Sequence, residues 1–319
     1  MNIKITVLDS ATLGYDLDLS PLSEGGAVEI YENTPPEMIE ARIEDSDVVV
    51  INKIKLNESN LSNAKKLKLI CIAATGYDNI DIPFCRSKNI AVCNVVGYST
   101  QSVSQITVAT VLSLASHLGE HNDTVKSGRY TDSGVANSLT PVYHEIAGKT
   151  WGIVGYGNIG RQVGRVAEAF GCRVIACRRN PDGDEKYRTL EELCRESDII
   201  TVHTPLNAST KGIISREAIA KMKKDVILVN AARGAVTDEK ALADAVKEGR
   251  IGALGSDVYS VEPFGKDHPF YEIKELPNVC LTPHMAWGAY EARVRCLGEI
   301  IENIKAFYEG RERCRVDLL

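Results

Sequence analysis

Short runs of apolar and largely β-branched residues recur along the chain, and segments with helical periodicity separate them. Apolar runs of this length are typical of parallel strands that are covered on both faces of a sheet. We expect strands at Ile3–Leu8, Val48–Ile51, Leu69–Ile72, Ala91–Val95, Thr150–Val154, Arg173–Cys177, Ile199–His203, Val226–Asn230, Ala253–Ser256 and Val279–Leu281. Helical patterns lie between them at Pro36–Asp45, Asn158–Phe170, Leu190–Arg195 and Asp238–Glu248. This alternation predicts an α/β fold with doubly wound parallel sheets.

Two further helical patterns divide the chain into domains. A long helix is predicted at Gln101–His117, and the weakly periodic segment Gly119–Ala147 separates it from a second α/β unit. The chain ends in one more helical pattern, Ala289–Tyr308, which we expect to pack back against the first unit. The sequence therefore predicts one discontinuous domain, residues 1–100 and 288–319, into which a second domain, residues 101–287, is inserted. A chain of 319 residues is long enough for two domains.

Composition restricts the class of protein. A net charge of −6 favours solubility and argues against non-specific nucleic-acid binding, which needs a basic surface. The N-terminal residues show no secretion signal, and no apolar stretch reaches the roughly 18 residues that span a bilayer. Of the nine cysteines, Cys71, Cys93, Cys177 and Cys280 lie in apolar runs, where reduced, buried thiols are usual. We expect a cytoplasmic protein without membrane contact and, since no metal-ligand spacing occurs, without a metal.

A glycine-rich motif follows the predicted strand Thr150–Val154 and opens the next helix. It consists of Gly155, Tyr156, Gly157, Asn158, Ile159 and Gly160. A lone GxGxxG is weak evidence, but a strand before it and a helix and second strand after it indicate a dinucleotide-binding turn. Gly155 permits the tight turn, Gly157 lets the backbone approach a pyrophosphate, and Gly160 lets helix and strand pack closely. The helix N-terminus offers N–H groups and a positive dipole end to the phosphates.

The residues at the end of the following strand indicate which cofactor binds. An NAD site usually carries Asp or Glu there, which hydrogen bonds to the ribose 2′-hydroxyl. This chain has Arg178 and Arg179 instead. Two guanidinium groups suit a 2′-phosphate, to which they donate charge-assisted hydrogen bonds. We therefore expect NADP in preference to NAD, with two solvated surface arginines as the alternative interpretation.

Three polar segments end predicted strands of the second domain, at the edge where open α/β sheets bind ligands. They read NAARGAVTD at 230–238, SDVYSVEP at 256–263 and LTPHMAW at 281–287. Together they contain a histidine, which can donate a proton near neutral pH, and an arginine, whose guanidinium group can bind a carboxylate in a fork geometry.

The segments resemble those of the D-isomer-specific 2-hydroxyacid dehydrogenase family. The resemblance covers nearly the whole chain and includes AATGYDNID at 73–81, the glycine motif, VHTP at 202–205 and the three segments above, in the same order. GYSTQSV at 97–103 and TPHMAWGAYEAR at 282–293 are most similar to the branch of glycerate dehydrogenases and hydroxypyruvate or glyoxylate reductases. Arg178 departs from the family, many of whose members carry Asp there. The resemblance implies a Rossmann cofactor domain inserted into a flavodoxin-like substrate domain.

The resemblance also implies roles for individual residues. His284 would be the proton donor, and Glu262 would hold its imidazole and favour the protonated form. Arg233 would bind the substrate carboxylate and polarise the carbonyl. Further substrate contacts would be Thr75, Gly76 and Trp287, and packing in the core or at a dimer interface is an equally open alternative for Trp287. Further cofactor contacts would be His203, Thr204, Pro205, Thr210, Ala231, Ala232 and Asp257. Structural roles are expected for His117, His121, His144 and His268.

The expected function is hydride transfer between NAD(P)H and a small 2-oxo acid, either hydroxypyruvate or glyoxylate. D-lactate, a branched 2-hydroxy acid or 3-phosphoglycerate remain alternative substrates, because similarity of fold does not fix the substrate. A dinucleotide-sensing protein, similar to transcriptional corepressors of the superfamily, is the alternative of another class. We expect the substrate in a cleft that closes between the two domains. We also expect a homodimer, since Gly119–Ala147 has no place in either sheet and forms a two-fold interface in the resembling family.

Overall fold

The computed structural model describes residues 3–179 and 183–319 of the chain and divides into two units. Unit 1 comprises Met1–Ser99 and Trp287–Leu319, and unit 2 comprises Thr100–Ala286. Each contains a parallel sheet, so the predicted α/β class with two parallel-sheet domains is confirmed. The domain boundaries expected from the sequence differ from these by one residue. The difference moves Trp287 into unit 1, because its ring packs on the core of that unit and meets Tyr98 edge-on.

The regular elements are numbered in chain order. The described strands and helices are β1 (Lys4–Val7), β2 (Ala27–Ile30), α1 (Ile39–Ile43), β3 (Val48–Ile51), α2 (Glu58–Leu61), β4 (Leu69–Ile72), α3 (Ile82–Ser87), β5 (Ala91–Cys93), α4 (Thr100–Ala115), α5 (Leu118–Lys126), α6 (Arg129–Ser133), β6 (Thr150–Val154), α7 (Asn158–Ala169), β7 (Arg173–Cys177), α8 (Leu190–Glu196), β8 (Ile199–Val202), α9 (Arg216–Lys221), β9 (Ile227–Asn230), α10 (Glu239–Lys247), β10 (Ala253–Ser256), β11 (Val279–Leu281) and α11 (Tyr290–Tyr308). Short 3-10 helices lie at Ser10–Leu13, Ser20–Glu24, Pro36–Met38, Gly234–Val236, Pro269–Glu272 and Val316–Leu318.

The sheet of unit 1 has the order β2-β1-β3-β4-β5, with every neighbouring pair parallel. This is the flavodoxin-like order. Successive residues of β3 enter two separate cores: Val48 and Val50 face one, and Val49 and Ile51 face the other. Helix α11 packs on the first of these cores, so the C-terminal segment of the chain contributes to unit 1. The sheet is thus covered on both faces, as unbroken apolar strands require.

The sheet of unit 2 has the order β11-β10-β9-β8-β6-β7 and is also parallel throughout. Beyond its β7 edge, Tyr187 forms an isolated parallel bridge with Ala176, at the position where a Rossmann sheet has its third strand. The order of strands reverses between β6 and β8, and ligands bind at such switch points. The glycine-rich turn follows β6 and therefore lies at this point.

Local signals fix the helices that border the site. Helix α10 begins after Asp238, whose carboxylate accepts a hydrogen bond from the N–H of Ala241 at 2.9 Å. Helix α8 begins with a capping box formed by Thr189 and Glu192. Beneath the glycine turn, Trp151 of β6 is fully buried, and other core residues surround it.

The sequence missed several local features. Strand β2 was not expected, because Ala27–Ile30 is a half-exposed edge strand without a buried apolar run. The segment Gly119–Ala147 contains most of α5 and all of α6, whose residues are not buried, so no core-facing periodicity marked them. The predicted helix Pro36–Asp45 divides into a 3-10 turn and the short helix α1. Several other elements have the predicted bounds, and the remaining predicted ends differ from the observed ones by one or two residues.

Three chemical properties concern the whole described chain. Among the described residues, no helix has the length and apolar character needed to cross a membrane. The same residues contain no group of three or more His, Cys, Asp or Glu side chains that could hold a metal ion. All nine cysteines are free thiols, and burial raises the pKa of Cys93 and of Cys296 to about 12. These two thiols are therefore protonated at neutral pH.

Candidate active site

The glycine-rich turn connects β6 to α7, and glycine is required at two of its positions. Gly155 has a φ of +94°, and a Cβ atom there would lie 2.6 Å from the backbone nitrogen of Thr204. A Cβ atom at Gly160 would lie 2.3 Å from the carbonyl oxygen of Gly155. At Gly157, in contrast, such an atom would meet nothing within 4 Å. The turn is thus closely packed on its sheet side, while open space borders Gly157.

The N-terminus of α7 adjoins this open space. Gly157 is the N-cap residue, and no side chain of the described residues caps the helix there. Asn158 and Ile159 form the first turn, whose N–H groups lack partners within the helix. Such an N-terminus suits a phosphate group. The geometry of the turn therefore fits the pyrophosphate of a dinucleotide.

The arginines at the end of β7 belong to an aromatic and basic cluster. Arg178 is half-buried and Arg179 is exposed. Nη1 of Arg178 donates a hydrogen bond to the Tyr187 hydroxyl at 3.2 Å, and the guanidinium lies 5.6 Å from the centre of that ring. The Tyr187 ring also meets the ring of Tyr156 edge-on at 6.2 Å. Aromatic contacts thus connect Arg178 to the glycine-rich turn. No motif in the sequence indicates that Tyr187 contacts Arg178 and Tyr156.

The residues after β8 form the other wall of the turn. The N–H of His203 donates to the carbonyl of Val154 at 2.7 Å. Neither ring nitrogen of His203 has a hydrogen-bond partner among the described residues, although both are enclosed, and burial lowers the pKa of His203 to about 3. An enclosed polar group without a partner is unusual in a folded protein. Thr210 closes the loop by donating its hydroxyl to the carbonyl of Pro205 at 2.6 Å.

A glutamate and a histidine are paired beyond the ends of β10 and β11. Nδ1 of His284 lies 2.6 Å from Oε2 of Glu262, and both side chains are largely shielded from solvent. The other oxygen, Oε1, accepts a hydrogen bond from the N–H of Tyr259 at 2.9 Å. Glu262 is thereby fixed by backbone on one side and orients the imidazole on the other. The pair can hold a proton on the ring and deliver it to an oxygen atom.

Asp257 fixes the segment that carries the histidine. One oxygen of its buried carboxylate accepts hydrogen bonds from the Thr282 hydroxyl at 2.6 Å and from the Met285 N–H at 2.9 Å. The other oxygen accepts one from the Ala286 N–H at 3.0 Å. Between these contacts His284 has a φ of +51°, a left-handed conformation that non-glycine residues rarely adopt. The Asp257 carboxylate thus stabilises the backbone that presents His284.

The arginine segment packs against the same region. A Cβ atom at Gly234 would lie 2.0 Å from the carbonyl carbon of Tyr259 and 2.1 Å from the nitrogen of Ser260. Arg233 precedes this contact and is half-buried. Ala231 and Ala232 lead into it from β9, and the N–H of Ala232 donates to Oδ1 of Asn230 at 3.1 Å. The segments of Arg233 and Glu262 are therefore in direct backbone contact in unit 2.

The predicted substrate contacts Thr75, Gly76 and Trp287 belong to unit 1. Thr75 and Gly76 follow β4 at the carboxyl edge of the sheet. Thr75 donates its hydroxyl to the carbonyl of Val95 at 2.7 Å, and its carbonyl accepts from Nδ2 of Asn94 at 2.7 Å. The Trp287 ring lies 6.1 Å from that of Tyr98. The loop at Thr75 is thus held by the two residues that directly follow β5, the strand next to β4.

Sequence and structure comparisons find related proteins over most of the chain. A family profile described as "D-isomer specific 2-hydroxyacid dehydrogenase, NAD binding domain" matches residues 108–286, all within unit 2. The chain is 35% identical to a hydroxypyruvate reductase of Blautia hydrogenotrophica over 317 residues, which cover 97% of this chain and 98% of that protein.

Two solved structures share the fold over nearly their full lengths. An acyclic imino acid reductase, Bsp5, in complex with NADPH and D-Arg has 29% identity and a TM-score of 0.87, with 98% of this chain and 100% of that chain covered. D-lactate dehydrogenase of Aquifex aeolicus, complexed with NAD and lactic acid, has 30% identity and a TM-score of 0.83, with 97% and 96% covered. One of these relatives thus holds NADPH and the other NAD.

Proposed function

Because the chain belongs to the D-isomer-specific 2-hydroxyacid dehydrogenase family, we propose that it reduces hydroxypyruvate or glyoxylate with NADPH. The reaction class is that of the family: hydride transfer between a nicotinamide dinucleotide and a 2-oxo or 2-hydroxy acid. The observation that carries the proposal is the 2.6 Å contact between His284 and Glu262. This contact lies next to the turn on which the Arg233 segment packs.

Each member of this group has a chemical task in the proposal. Glu262 engages Nδ1 of His284, so the proton on Nε2 is the one that passes to the substrate oxygen. Arg233 binds the substrate carboxylate and polarises the carbonyl group. The family resemblance adds Thr75 and Gly76 as backbone contacts of the carboxylate and Trp287 as a wall. When bound, the nicotinamide supplies the hydride that the carbonyl carbon receives.

A panel of 2-oxo acids tests the substrate. We expect the highest kcat/KM with hydroxypyruvate or glyoxylate, and lower values with pyruvate, a branched 2-oxo acid and the phosphorylated hydroxypyruvate. His284→Asn should lower kcat by about 10²–10⁴-fold, because general acid catalysis is lost, and should leave NADPH binding intact. Turnover with none of these acids would contradict the proposal and favour a dinucleotide-sensing protein. Full activity of His284→Asn would show that His284 is not the proton donor.

The preference for NADPH rests on the cluster at the end of β7. The hydrogen bond from Arg178 to the Tyr187 hydroxyl holds the guanidinium beside the dinucleotide turn. The hydroxyl hydrogen of Tyr187 can in turn be donated to a phosphate, since the oxygen already accepts from Arg178. Arg179 adds a second positive charge, and Arg178 occupies the position at which an NAD site usually carries Asp or Glu. These features support a 2′-phosphate site.

Arg178→Asp tests this preference, with Arg195→Asp as a control. Arg195 lies on α8 in an exposed ion pair with Glu191, so its exchange repeats the charge change elsewhere. We expect Arg178→Asp to raise KM for NADPH by roughly ten- to a hundredfold, with little change in kcat with NADH. The preference of the parent enzyme for NADPH over NADH should also decrease at high salt, because salt screens the partly exposed guanidinium and 2′-phosphate. A parent enzyme that prefers NADH would contradict the proposal.

We further propose a homodimer and a cytoplasmic location. Several large apolar side chains between residues 118 and 143 are exposed, among them Leu118, Val125, Leu139 and Val142. Exposed apolar residues clustered in one segment are typical of an interaction surface, and the family resemblance supports a second copy of this chain as the partner. Light scattering should give the mass of a dimer at micromolar concentration, and Leu139→Asp should shift it towards the monomer. A monomer mass for the parent protein would refute the dimer.

A further inference from the structure

Unit 2 contains a second glutamate–histidine pair, formed by Glu239 and His268. Oε2 of Glu239 lies 3.0 Å from Nε2 of His268, and both residues are less than a tenth exposed. Glu239 is the first residue of α10, and His268 precedes the 3-10 helix Pro269–Glu272. Burying a carboxylate carries a desolvation penalty that an apolar pair of similar size would avoid. The role of the Glu239 carboxylate therefore follows from the hydrogen bonds that it accepts.

The carboxylate of Glu239 binds the turn that carries Glu262. Oε1 accepts a hydrogen bond from the N–H of Ser260 at 2.8 Å, and Oε2 also accepts one from the Ser260 hydroxyl. Ser260 directly follows Tyr259, whose own N–H donates to Glu262. Two successive N–H groups of one turn thus bind two different glutamates. The N–H of Tyr259 holds the Glu262 carboxylate, and the hydrogen bond from the N–H of Ser260 to Glu239 fixes the backbone on which that contact depends.

His268 holds Glu239 in one orientation. The N–H of Phe270 donates to Nδ1 of His268 at 3.1 Å, so Nδ1 is an acceptor and Nε2 carries the hydrogen that is donated to Glu239. The rings of Phe264, Phe270 and Tyr259 surround the imidazole at 4.8, 5.2 and 5.9 Å. These rings leave the imidazole little freedom to turn. The Glu239 carboxylate therefore accepts three hydrogen bonds from donors that are themselves fixed.

We propose that Glu239 and His268 are positioning residues for the Glu262–His284 pair. They hold the backbone at Ser260, which sets the direction of the Tyr259 N–H and thereby the position of the Glu262 carboxylate. The inference rests on the proposed catalytic role of Glu262. It predicts an effect on the rate of proton delivery and not on cofactor binding, because Glu239 contacts the turn and not the glycine-rich segment.

Glu239→Gln is the variant that tests this positioning role. The amide keeps the size of the side chain, but its NH₂ group cannot accept from the Ser260 hydroxyl and from Nε2 of His268. We expect kcat for 2-oxo acid reduction to fall by roughly 10- to 100-fold, because small displacements of a catalytic group cost that much. KM and the Kd for NADPH should change by less than about twofold. Asp244→Asn, on the same helix and in an exposed ion pair with Arg216, should leave kcat unchanged.

A double-mutant cycle with Glu262→Gln separates positioning from a merely structural role. If Glu239 acts through Glu262, then Glu239→Gln should lower kcat by less than about twofold in the Glu262→Gln background. His268→Phe, which keeps a ring in the aromatic surroundings but removes the donor, should lower kcat in the same way and serves if Glu239→Gln does not fold. Equal effects of Glu239→Gln in both backgrounds, or a lower melting temperature with unchanged kcat, would overturn the inference alone. An unaltered kcat in Glu262→Gln itself would overturn the proposed role of that residue as well.

Discussion

Removal of the Asp257 carboxylate is expected to affect stability and catalysis together. This buried group accepts three hydrogen bonds, from the hydroxyl of Thr282 and from the N–H groups of Met285 and Ala286. All three donors lie in the segment that contains His284. Asp257→Ala therefore leaves this segment without its acceptor, whereas Asp257→Asn keeps one oxygen and places an NH₂ group opposite one of the N–H donors.

The expected loss of stability follows from the number of these bonds. A hydrogen bond to a charged acceptor contributes about 1.5–3 kcal/mol, so three of them set an upper limit of roughly 5–9 kcal/mol. The real loss is smaller, because Met285 is 44% exposed, so that water can replace part of the lost hydrogen bonding, although Ala286 is buried. We expect Asp257→Ala to lower the free energy of unfolding by about 2–4 kcal/mol, and Asp257→Asn by about half as much.

The catalytic consequence follows from the backbone of His284. Its φ of +51° is strained for a non-glycine residue and persists only while the surrounding contacts maintain it. Once the segment is released, the imidazole no longer occupies the position set by Glu262, and kcat should fall by about 10²-fold. The effect on kcat should exceed that on the Kd for NADPH, because Asp257 is only one of many expected cofactor contacts, whereas its three hydrogen bonds all hold the segment of His284.

Urea unfolding and steady-state kinetics on the same samples check both expectations. Asp18→Ala is a suitable control, because Asp18 accepts two hydrogen bonds from Ser20 in an exposed loop. This control should change the free energy of unfolding by less than about 0.5 kcal/mol. The reasoning is refuted if Asp257→Ala is no less stable than the control variant, or if its kcat equals that of the parent.

Two further predictions concern protonation and an enclosed imidazole. Burial alone raises the pKa of Asp317, but the hydrogen bonds and charge of Arg315 together with the hydrogen bond from the Val92 N–H outweigh it and lower the pKa below its usual value. The stability that the ionised Asp317 contributes is therefore fully present above about pH 4, and it is lost as the pH falls through the lowered pKa of the folded state. In urea unfolding, Asp317→Asn should be about 1–3 kcal/mol less stable than the parent at pH 6, and its free energy of unfolding should fall less between pH 6 and pH 3. His203→Leu removes two enclosed nitrogens without partners among the described residues, so the cofactor-free protein should melt at the same or a higher temperature while NADPH binds more weakly. Because the pKa of His203 is lowered to about 3 by burial, its contribution to NADPH binding should not vary between pH 5 and pH 8. Fluorescence titrations would contradict this if the Kd for NADPH depended on pH in the parent and no longer did so in His203→Leu.

The central strands could be predicted from the sequence because burial on both faces leaves a simple pattern. Val48–Ile51 and Leu69–Ile72 have the predicted bounds, and their residues are fully or almost fully buried. Strand β2 could not be predicted in this way. It contains Glu29, and Ile30 at its end is 45% exposed, so its place in the sheet depends on backbone pairing with β1 and not on an apolar run.

The candidate site could be predicted where a motif carries the chemistry. The glycine-rich turn, Glu262 and His284 were expected from their segments, and the structure has the last two in contact. Tyr187 and Glu239 were not expected. Each acts on a side chain or backbone group outside its own motif: Tyr187 contacts Arg178, nine residues earlier, and Glu239 contacts Ser260, 21 residues later. Short-range periodicity contains no information about such pairings.

The turn at Tyr259 and Ser260 explains why the three segments converge. The backbone after Arg233 packs against this turn because Gly234 has no side chain, and the Glu262 carboxylate accepts a hydrogen bond from the Tyr259 N–H. The Tyr259 hydroxyl donates to the carbonyl of Thr282 at 2.9 Å and so joins the histidine segment to the same turn. Most of these contacts involve backbone atoms, which every residue type possesses. A motif can therefore identify the reacting side chains, whereas their mutual placement depends on backbone contacts that residue types alone do not specify.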